Sequence, residues 1–210
     1  LFVYNGITDD KELAFELLEK NKNLLIIDAS YGIEIVNHNA ELWLNPSNLL
    51  MISQNIKNGL KEYITNSYLK KEIDQNYEAL KVELSELDAD IRLTANNASK
   101  KTIVVNSDAL LFLEKYGFDV ISLDDKNNAI TDRAIAEVND LIVSEEVTNI
   151  FLLEHEANSD ALEQILESTK VSTLTFRRLD TIQDEERDNN YNYITLMNEN
   201  IELLKKELYE

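Results

Sequence analysis

No cysteine occurs among the 210 residues. This excludes disulfides, thiol nucleophiles and thiolate metal sites, and fits either a reducing compartment or export from a cysteine-poor bacterium. Glycine is nearly as scarce: four residues, at 6, 32, 59 and 117, cannot build a glycine-rich phosphate loop. No G-x-S-x-G elbow is present, and the two histidines, His38 and His155, are too few and too far apart in sequence to specify a catalytic triad. No apolar run approaches the roughly 20 residues that span a bilayer. Positive charge is also short, with 20 Lys and Arg against 40 Asp and Glu, a formal charge of −20. A field of that sign repels phosphates and anionic headgroups, so readers of nucleic acid or of membrane surfaces are excluded. It attracts cations, but without selectivity unless ligands converge, and most acidic surfaces are only solubilising.

What is present is ordinary for a globular protein: 44% hydrophobic and 29% charged residues, enough for one substantial core or two modest ones. The start reads strand, helix, strand. "LFVYN" is β-prone, "TDDKELAFELLEKN" carries Leu13, Leu17 and Leu18 at helical spacing, and "NLLIIDA" suits a strand buried on both faces. This is a βαβ unit, hence a parallel sheet, though one too small to stand alone. Because the chain opens on Leu1 inside an apolar run, it is expected to be a fragment or a processed product.

The ten residues "NHNAELWLNP" (37–46) gather the only Trp, the only Pro and one of the two His. Pro46 fits the first position of a helix, where a missing N–H costs nothing. A helix over Ser47–Tyr63 follows, with Leu50, Ile52, Ile56 and Leu60 on its buried side, and "TNSY" interrupts and re-caps the chain. From Tyr68 to about Asn96, Ile73, Tyr77, Leu80, Leu84, Leu87 and Ile91 alternate spacings of four and three without Gly or Pro. That predicts one helix about 40 Å long. It is read as a brace between two lobes, with a coiled-coil arm as the competing reading.

Strand-like runs then alternate with helices. The strands are expected at 102–106, 119–123, 149–153 and 171–176. The helices are "DALLFLEKYG", "TDRAIAEVNDLIVSE", "SDALEQILESTK" and a final one burying Ile194, Met197, Ile201, Leu204 and Leu208. The polar "IQDEERDNNYNY" reads as a mobile loop. The fold class is therefore α/β, a doubly wound parallel lobe over 101–210. The segment 47–100 is helical, and 1–46 is the C-terminal part of a first α/β lobe. Ligands of such sheets bind beyond the carboxyl ends of the strands, here near Asn106-Ser107-Asp108, Glu154-His155-Glu156 and Arg177–Asp180.

"NAELWLNPSNLLMISQNIKNGL" resembles the D-P-H-x-W-L-[SD]-P segment of solute-binding lipoproteins serving bacterial zinc and manganese ABC transporters. The likeness runs the length of the chain. "LFVYNG" is similar to that family's "adlfvyNG" strand, "LLIIDASYGIEIV" to its "vidlskgi" turn and the long helix to its linking helix. "TIVVNSDALLFLEKYGFDVISL" is similar to "vvfHdAfgYfakrYGl", and "YNYITLMNENIELLKKEL" to "YlslmreNlekLkkaL". The resemblance implies a two-lobed α/β protein with one divalent metal, zinc or manganese, carried in the cleft between lobes. It implies a membrane permease as partner and an extracellular location, held at the surface by a lipid anchor outside this chain or free in the periplasm. It also implies an upstream part of the first lobe bearing the first His ligand.

The departures matter as much. The family's His ligand in D-P-H-x-W falls on Glu41. The next ligand falls on Ser107, with Asp108 beside it, and the last on Asp180, although an offset of two residues would place Arg178 there. A set of Glu41, Ser107 or Asp108, and Asp180 is all oxygen, which suits manganese, magnesium or calcium better than zinc. His38 could swing in toward Glu41, and an exposed His is the blander reading; His155 reads equally as a solvated loop residue. Three functions stay open: metal capture for a transporter, a surface adhesion or interaction protein that has lost its metal, and a Mg²⁺-dependent hydrolase of phosphate esters. The missing phosphate-cradling glycines argue against the last. A first lobe with an exposed sheet edge is expected to self-associate.

Overall fold

Strands too far apart in sequence for hairpins must pair through crossovers, which makes parallel sheets. The computed structural model describes residues 1–34, 40–127 and 129–209, and each strand pair in it is parallel. The chain divides into two compact units, Leu1–Asp88 and Ala89–Glu210.

In the first unit β1 (Phe2–Tyr4), α1 (Asp10–Lys20) and β2 (Ile26–Asp28) form the expected βαβ unit, with Phe2 opposite Ile26 and Tyr4 opposite Asp28. Ala14 is fully buried, whereas Leu13 is 45% and Phe15 52% exposed. Leu13, expected on the covered stripe, is therefore outside it: a two-stranded sheet covers only a narrow face of a helix, and the small Ala14 makes the close contact. A 3₁₀ turn at Leu42–Leu44 buries Leu42 and Leu44 and leads into α2 (Pro46–Tyr63). Asn45 caps α2 by accepting from the Ser47 N–H at 3.1 Å, and Pro46 occupies the first turn as expected. Gly59 is where α2 meets β2, since a Cβ there would stand 2.5 Å from the Ile27 Cδ1.

Asn66 then accepts from the Tyr68 N–H at 2.9 Å and starts α3 (Ser67–Asn97), a helix of 31 residues and about 46 Å. The division between the units falls inside α3. Near its start α3 is tied to α2 by Lys61, whose Nζ lies 2.5 Å from Asp74, and by Lys57, whose Nζ lies 4.1 Å above the Tyr77 ring. The Lys61 hydrogen bond holds the Asp74 carboxyl below the usual range.

The second unit contains β3 (Thr102–Val105), β4 (Asp119–Ser122), β5 (Asn149–Leu153) and β6 (Ser172–Phe176), in the order β4-β3-β5-β6. Chain direction across the sheet therefore reverses between β3 and β5. Three helices start on side-chain caps: Thr131 for α4 (Asp132–Val143), Ser159 for α5 (Asp160–Ser168) and Asn192 for α7 (Tyr193–Leu208). Val104, Leu123, Val138, Val147, Ile150, Leu162 and Ile165 make one core layer beneath α4 and α5. Because strand side chains alternate, Ile103, Val105 and Phe151, also buried, belong to the opposite face.

Two expectations need correction. Residues Asp108–Tyr116 are helical but in 3₁₀ turns, consistent with buried Leu110, Leu113 and Tyr116 at a spacing of three, and they end at Gly117 with φ +95°. The segment expected to be a mobile loop contains α6 (Asp184–Asp188), started by a capping box between Gln183 and Glu186. In α7, Met197, Ile201, Leu204 and Leu208 are buried as expected, and Ile194 only partly. Asn200 and Glu207 are buried beside them.

Candidate functional site

In the second unit the parallel strands place all their carboxyl ends on one edge, and the order reverses between β3 and β5, the point at which sheets of this kind bind ligands. Asn106, 2% exposed, links the two strands there: its Oδ1 accepts from the Leu153 N–H at 2.7 Å and its N–H donates to the Phe151 carbonyl at 3.1 Å. Ser107, also buried, caps the 3₁₀ segment by accepting from the Ala109 N–H at 3.3 Å. The Asp108 Oδ1 accepts from the Ser122 Oγ at 2.7 Å, and the Asp108 N–H donates to the Asp124 Oδ2 at 3.2 Å. Asp124 also accepts from the Lys126 N–H, and the Lys126 Nζ lies 2.6 Å from Glu156. The loops after β3, β4 and β5 are thus laced together, and Asp108 is held in place by Ser122 and the Asp124 loop.

At the ends of β5 and β6 sits an ionic network. The Arg177 guanidinium donates from Nε to Glu154 at 3.0 Å and from both terminal nitrogens to Glu186, at 2.6 and 3.2 Å. These bonds raise the already high Arg177 pKa and hold the Glu186 carboxyl below its usual range, the Arg177 hydrogen bond being the main cause. The Arg177 backbone is fixed as well: its N–H donates to the Asn200 Oδ1 at 2.7 Å, and its carbonyl accepts from the Asn200 Nδ2 at 3.0 Å. Glu154 accepts in addition from the Arg178 N–H at 3.3 Å. Leu179 has φ +64°, an unusual backbone for a branched side chain, and the turn it makes sets the Asp180 Oδ2 3.3 Å from the Arg178 Nε. His155 is 65% exposed, with its Nε2 3.9 Å from Glu154.

In the first unit Glu41 is half-buried and begins the Leu42–Leu44 turn, its carbonyl accepting from the Leu44 N–H at 3.1 Å. The neighbouring Ala40 carbonyl accepts from the Asn5 side chain at 3.3 Å, which sets Glu41 near the carboxyl end of β1. Asp28 closes that end by accepting from Gly6 and Ser30. His38 lies outside the described residues.

Of the expected site residues, Asp108 is tied to β4 through Ser122, Ser107 beside it caps the 3₁₀ segment, and Asp180 lies against Arg178. Among the described residues no three His, Asp or Glu side chains are grouped so as to hold a metal ion. The sequence reading missed the Arg177–Glu154–Glu186 network and the Asn200 clamp. Their signals were present: a Q-x-x-E capping box at 183–186, and two polar residues seven apart on the apolar face of α7.

A family model described as "zinc-uptake complex component A periplasmic" matches residues 1–207. The chain belongs to this family. The family comprises metal-binding, solute-binding components of ABC transporters and is not a family of enzymes. No curated protein matches the chain significantly. Among solved structures, the metal-dependent lipoprotein YcdH of Bacillus subtilis is 22% identical, with TM-score 0.78 over 100% of this chain and 80% of that one. The Streptococcus pneumoniae protein AdcAII is 21% identical, with TM-score 0.78 over 99% and 79%. The Zn(II)-bound ZnuA-like domain of AdcA from the same species is 20% identical, with TM-score 0.73 over 100% and 80%. These likenesses bear out the α/β solute-binding fold. Among the described residues no helix is long and apolar enough to cross a membrane.

Proposed function

We propose that the chain receives a divalent cation as cargo, zinc or manganese, and presents it to the membrane permease of an ABC transporter outside the cytoplasm. In this reading a lipid anchor, or the periplasm itself, keeps the protein near the permease. Residues 1–46 belong to the first lobe, 47–100 form the helical connection and 101–210 form the second lobe. Glu41, Asp108 and Asp180 serve as carboxylate ligands, with Ser107 beside them. The observation that carries the reading is the position of Asp108 and Asp180: both follow parallel strands at the sheet edge where α/β folds bind ligands. An all-oxygen set favours manganese over zinc.

The test is calorimetry of the metal-stripped protein with Zn²⁺ and Mn²⁺ separately, repeated on Glu41→Ala and Asp180→Ala. Micromolar or tighter binding, lost in both variants, is the expected result. Absence of heat with either ion would favour the second reading, a surface interaction protein that has kept the fold and lost the cargo. The Arg178–Asp180 pair is the observation on that side.

Self-association of the first unit belongs to the same proposal. Val3, Leu13, Phe15 and Leu25 are 39–52% exposed around β1, α1 and β2. Light scattering would show a dimer, and a monomer at every concentration would remove the idea.

A further inference from the structure

The apolar row of α3 changes its surroundings part-way along. Ile73, Tyr77, Leu80, Leu84 and Leu87 alternate steps of four and three, and Leu69 stands one turn ahead of them. Leu84 and Leu87 are 1% and 2% exposed, yet no apolar residue of α3 before Leu84 is buried, and Leu69 is 42% exposed. Helix α2 is alike: of its residues Pro46 alone is buried. One side of α2 is spent on β2, through Gly59 against Ile27 and through the Asn55 side chain, which donates to the Ala29 carbonyl at 3.0 Å. Its other side looks toward α3, where the two helices are pinned by polar contacts, Lys61 on Asp74 and Lys57 over the Tyr77 ring. Between them lies a groove of about 370 Å³ walled by Ile56, Leu60, Ile73, Tyr77 and Leu80. Leu50 and Met51, the latter 42% exposed, continue the apolar surface past Tyr77.

Charge singles out the same stretch. Residues 46–81 hold five Lys (57, 61, 70, 71 and 81) against four acids (Glu62, Glu72, Asp74 and Glu78), leaving 15 cations against 36 acids in the rest of the chain. Two copies of so acidic a protein repel each other over most of their surfaces. The repulsion is least where an apolar face without excess negative charge meets its own kind. An anionic lipid surface is a poorer match, because the acidic remainder opposes it and because Lys57 and Lys61 are already engaged with Tyr77 and Asp74.

We propose that the α2–α3 face is the contact through which two copies of this chain associate, forming an antiparallel four-helix seam. A groove flanked by Met51 at one end and Leu69 at the other is self-complementary under a two-fold axis, since each copy offers protruding side chains to the other's groove. The four–three spacing of Ile73, Tyr77 and Leu80 is the one that lets helices interlock knob into hole. Helix α2, with 18 residues, is about 27 Å long, and two helices side by side are about 20 Å across, so the seam covers about 1,000 Å² over both copies. That is at the lower limit of specific interfaces and sets a dissociation constant of roughly 1 μM or weaker. The seam does not depend on cargo, and its residues are not those exposed around β1, α1 and β2.

The experiment is light scattering of the full chain as a function of concentration, comparing the parent with Leu80→Asp, Met51→Asp and Phe15→Asp, each checked for folding by thermal melting. Leu80→Asp is expected to weaken the dimer by at least about tenfold and Met51→Asp by about threefold, with Phe15→Asp unchanged. Added NaCl should strengthen the parent dimer, because salt screens the repulsion between the acidic bodies and leaves apolar contact intact. Weakening by salt would mean ion pairs between the copies and would overturn the apolar seam. A dimer lost only in Phe15→Asp overturns it and leaves the contact through β1, α1 and β2 standing, and equal losses in all three variants overturn it as well. A monomer at every concentration removes both contacts and leaves the α2–α3 face to a different chain. Should Leu80→Asp fold poorly, a nitroxide on Met51→Cys gives a second reading, its label being unique because the chain has no other cysteine. Its spectrum must broaden as protein concentration rises while that of Phe15→Cys does not, and an unchanged spectrum at Met51→Cys overturns the proposal.

Discussion

The Glu207 carboxylate, 1% exposed near the end of α7, accepts from both the N–H and the hydroxyl of Thr148, each at 2.8 Å. Asn149 adds a third bond at 2.7 Å. The carboxylate therefore joins the last helix to Thr148, just before β5, and to Asn149, its first residue. Removing it returns the Thr148 and Asn149 donors to water and deletes three bonds to a charged acceptor, each worth about 1 kcal/mol net. Glu207→Ala should lower stability by about 3 kcal/mol, and Glu207→Gln by about half as much, because an amide oxygen still accepts. Urea unfolding with an unchanged slope would verify both.

Asn200 is completely buried and bonded to both backbone polar groups of Arg177. Asn200→Ala should cost about 2 kcal/mol, read as a fall in melting temperature of roughly 4–8 °C for a chain of this size. Amide exchange at Arg177 should accelerate by more than at residues in β3. A uniform change across the sheet would mean that Asn200 supports the fold as a whole and not the end of β6.

Acid should loosen α6 before the sheet. Glu186 is bonded by Arg177 and accepts from the Gln183 N–H at 2.9 Å, and its folded pKa lies below its unfolded one. Between those two values the unfolded form binds more protons, so the contribution is present above the ordinary Glu value of about 4.3 and disappears as pH falls through the lower folded value. Amide protection at 183–186, corrected for intrinsic exchange, should be flat from about pH 7 to 5 and decline below about pH 4. Glu186→Gln should abolish that dependence.

The contact of Gly59 with Ile27 leaves no room for a methyl group. Gly59→Ala gains about 1 kcal/mol of helix propensity but forces α2 off β2 or twists Ile27, a larger opposing effect. A net loss of about 1–2 kcal/mol is expected. Combining it with Ile27→Ala should cost less than the sum of the two single changes. Strict additivity would show that the helix relaxes without touching Ile27.

Much of this architecture was legible in the residues. Continuous apolar runs such as "NIFLL" give β5 its bounds because a strand covered on both faces has no reason to alternate, and Pro46 marks the start of α2 because its missing N–H is harmless only there. Leu13 was misplaced because periodicity records a hydrophobic stripe, not how wide a surface the sheet offers it. The α6 segment was read as loop because its composition is polar. Its order comes from Arg177, seven residues before it begins, and from the reciprocal bonds of Gln183 and Glu186. The site was less legible than the fold. The family resemblance pointed to Asp180 and, at an offset of two residues, to Arg178. That the two side chains meet depends on the left-handed backbone of Leu179, which no residue pattern announces.

The sheet of the second unit keeps two tasks on different residues of the same strands. Val104 and Ile150 hold the layers together, while Asp108, Arg178 and Asp180 lie past the strand ends with side chains outside the buried core. Selection can therefore rewrite what the edge recognises, one side chain at a time, without first finding a new way to fold. The exchange of one polar side chain past a strand end is then a small evolutionary step, and descendants of one scaffold can diverge along that edge while their backbones still superimpose.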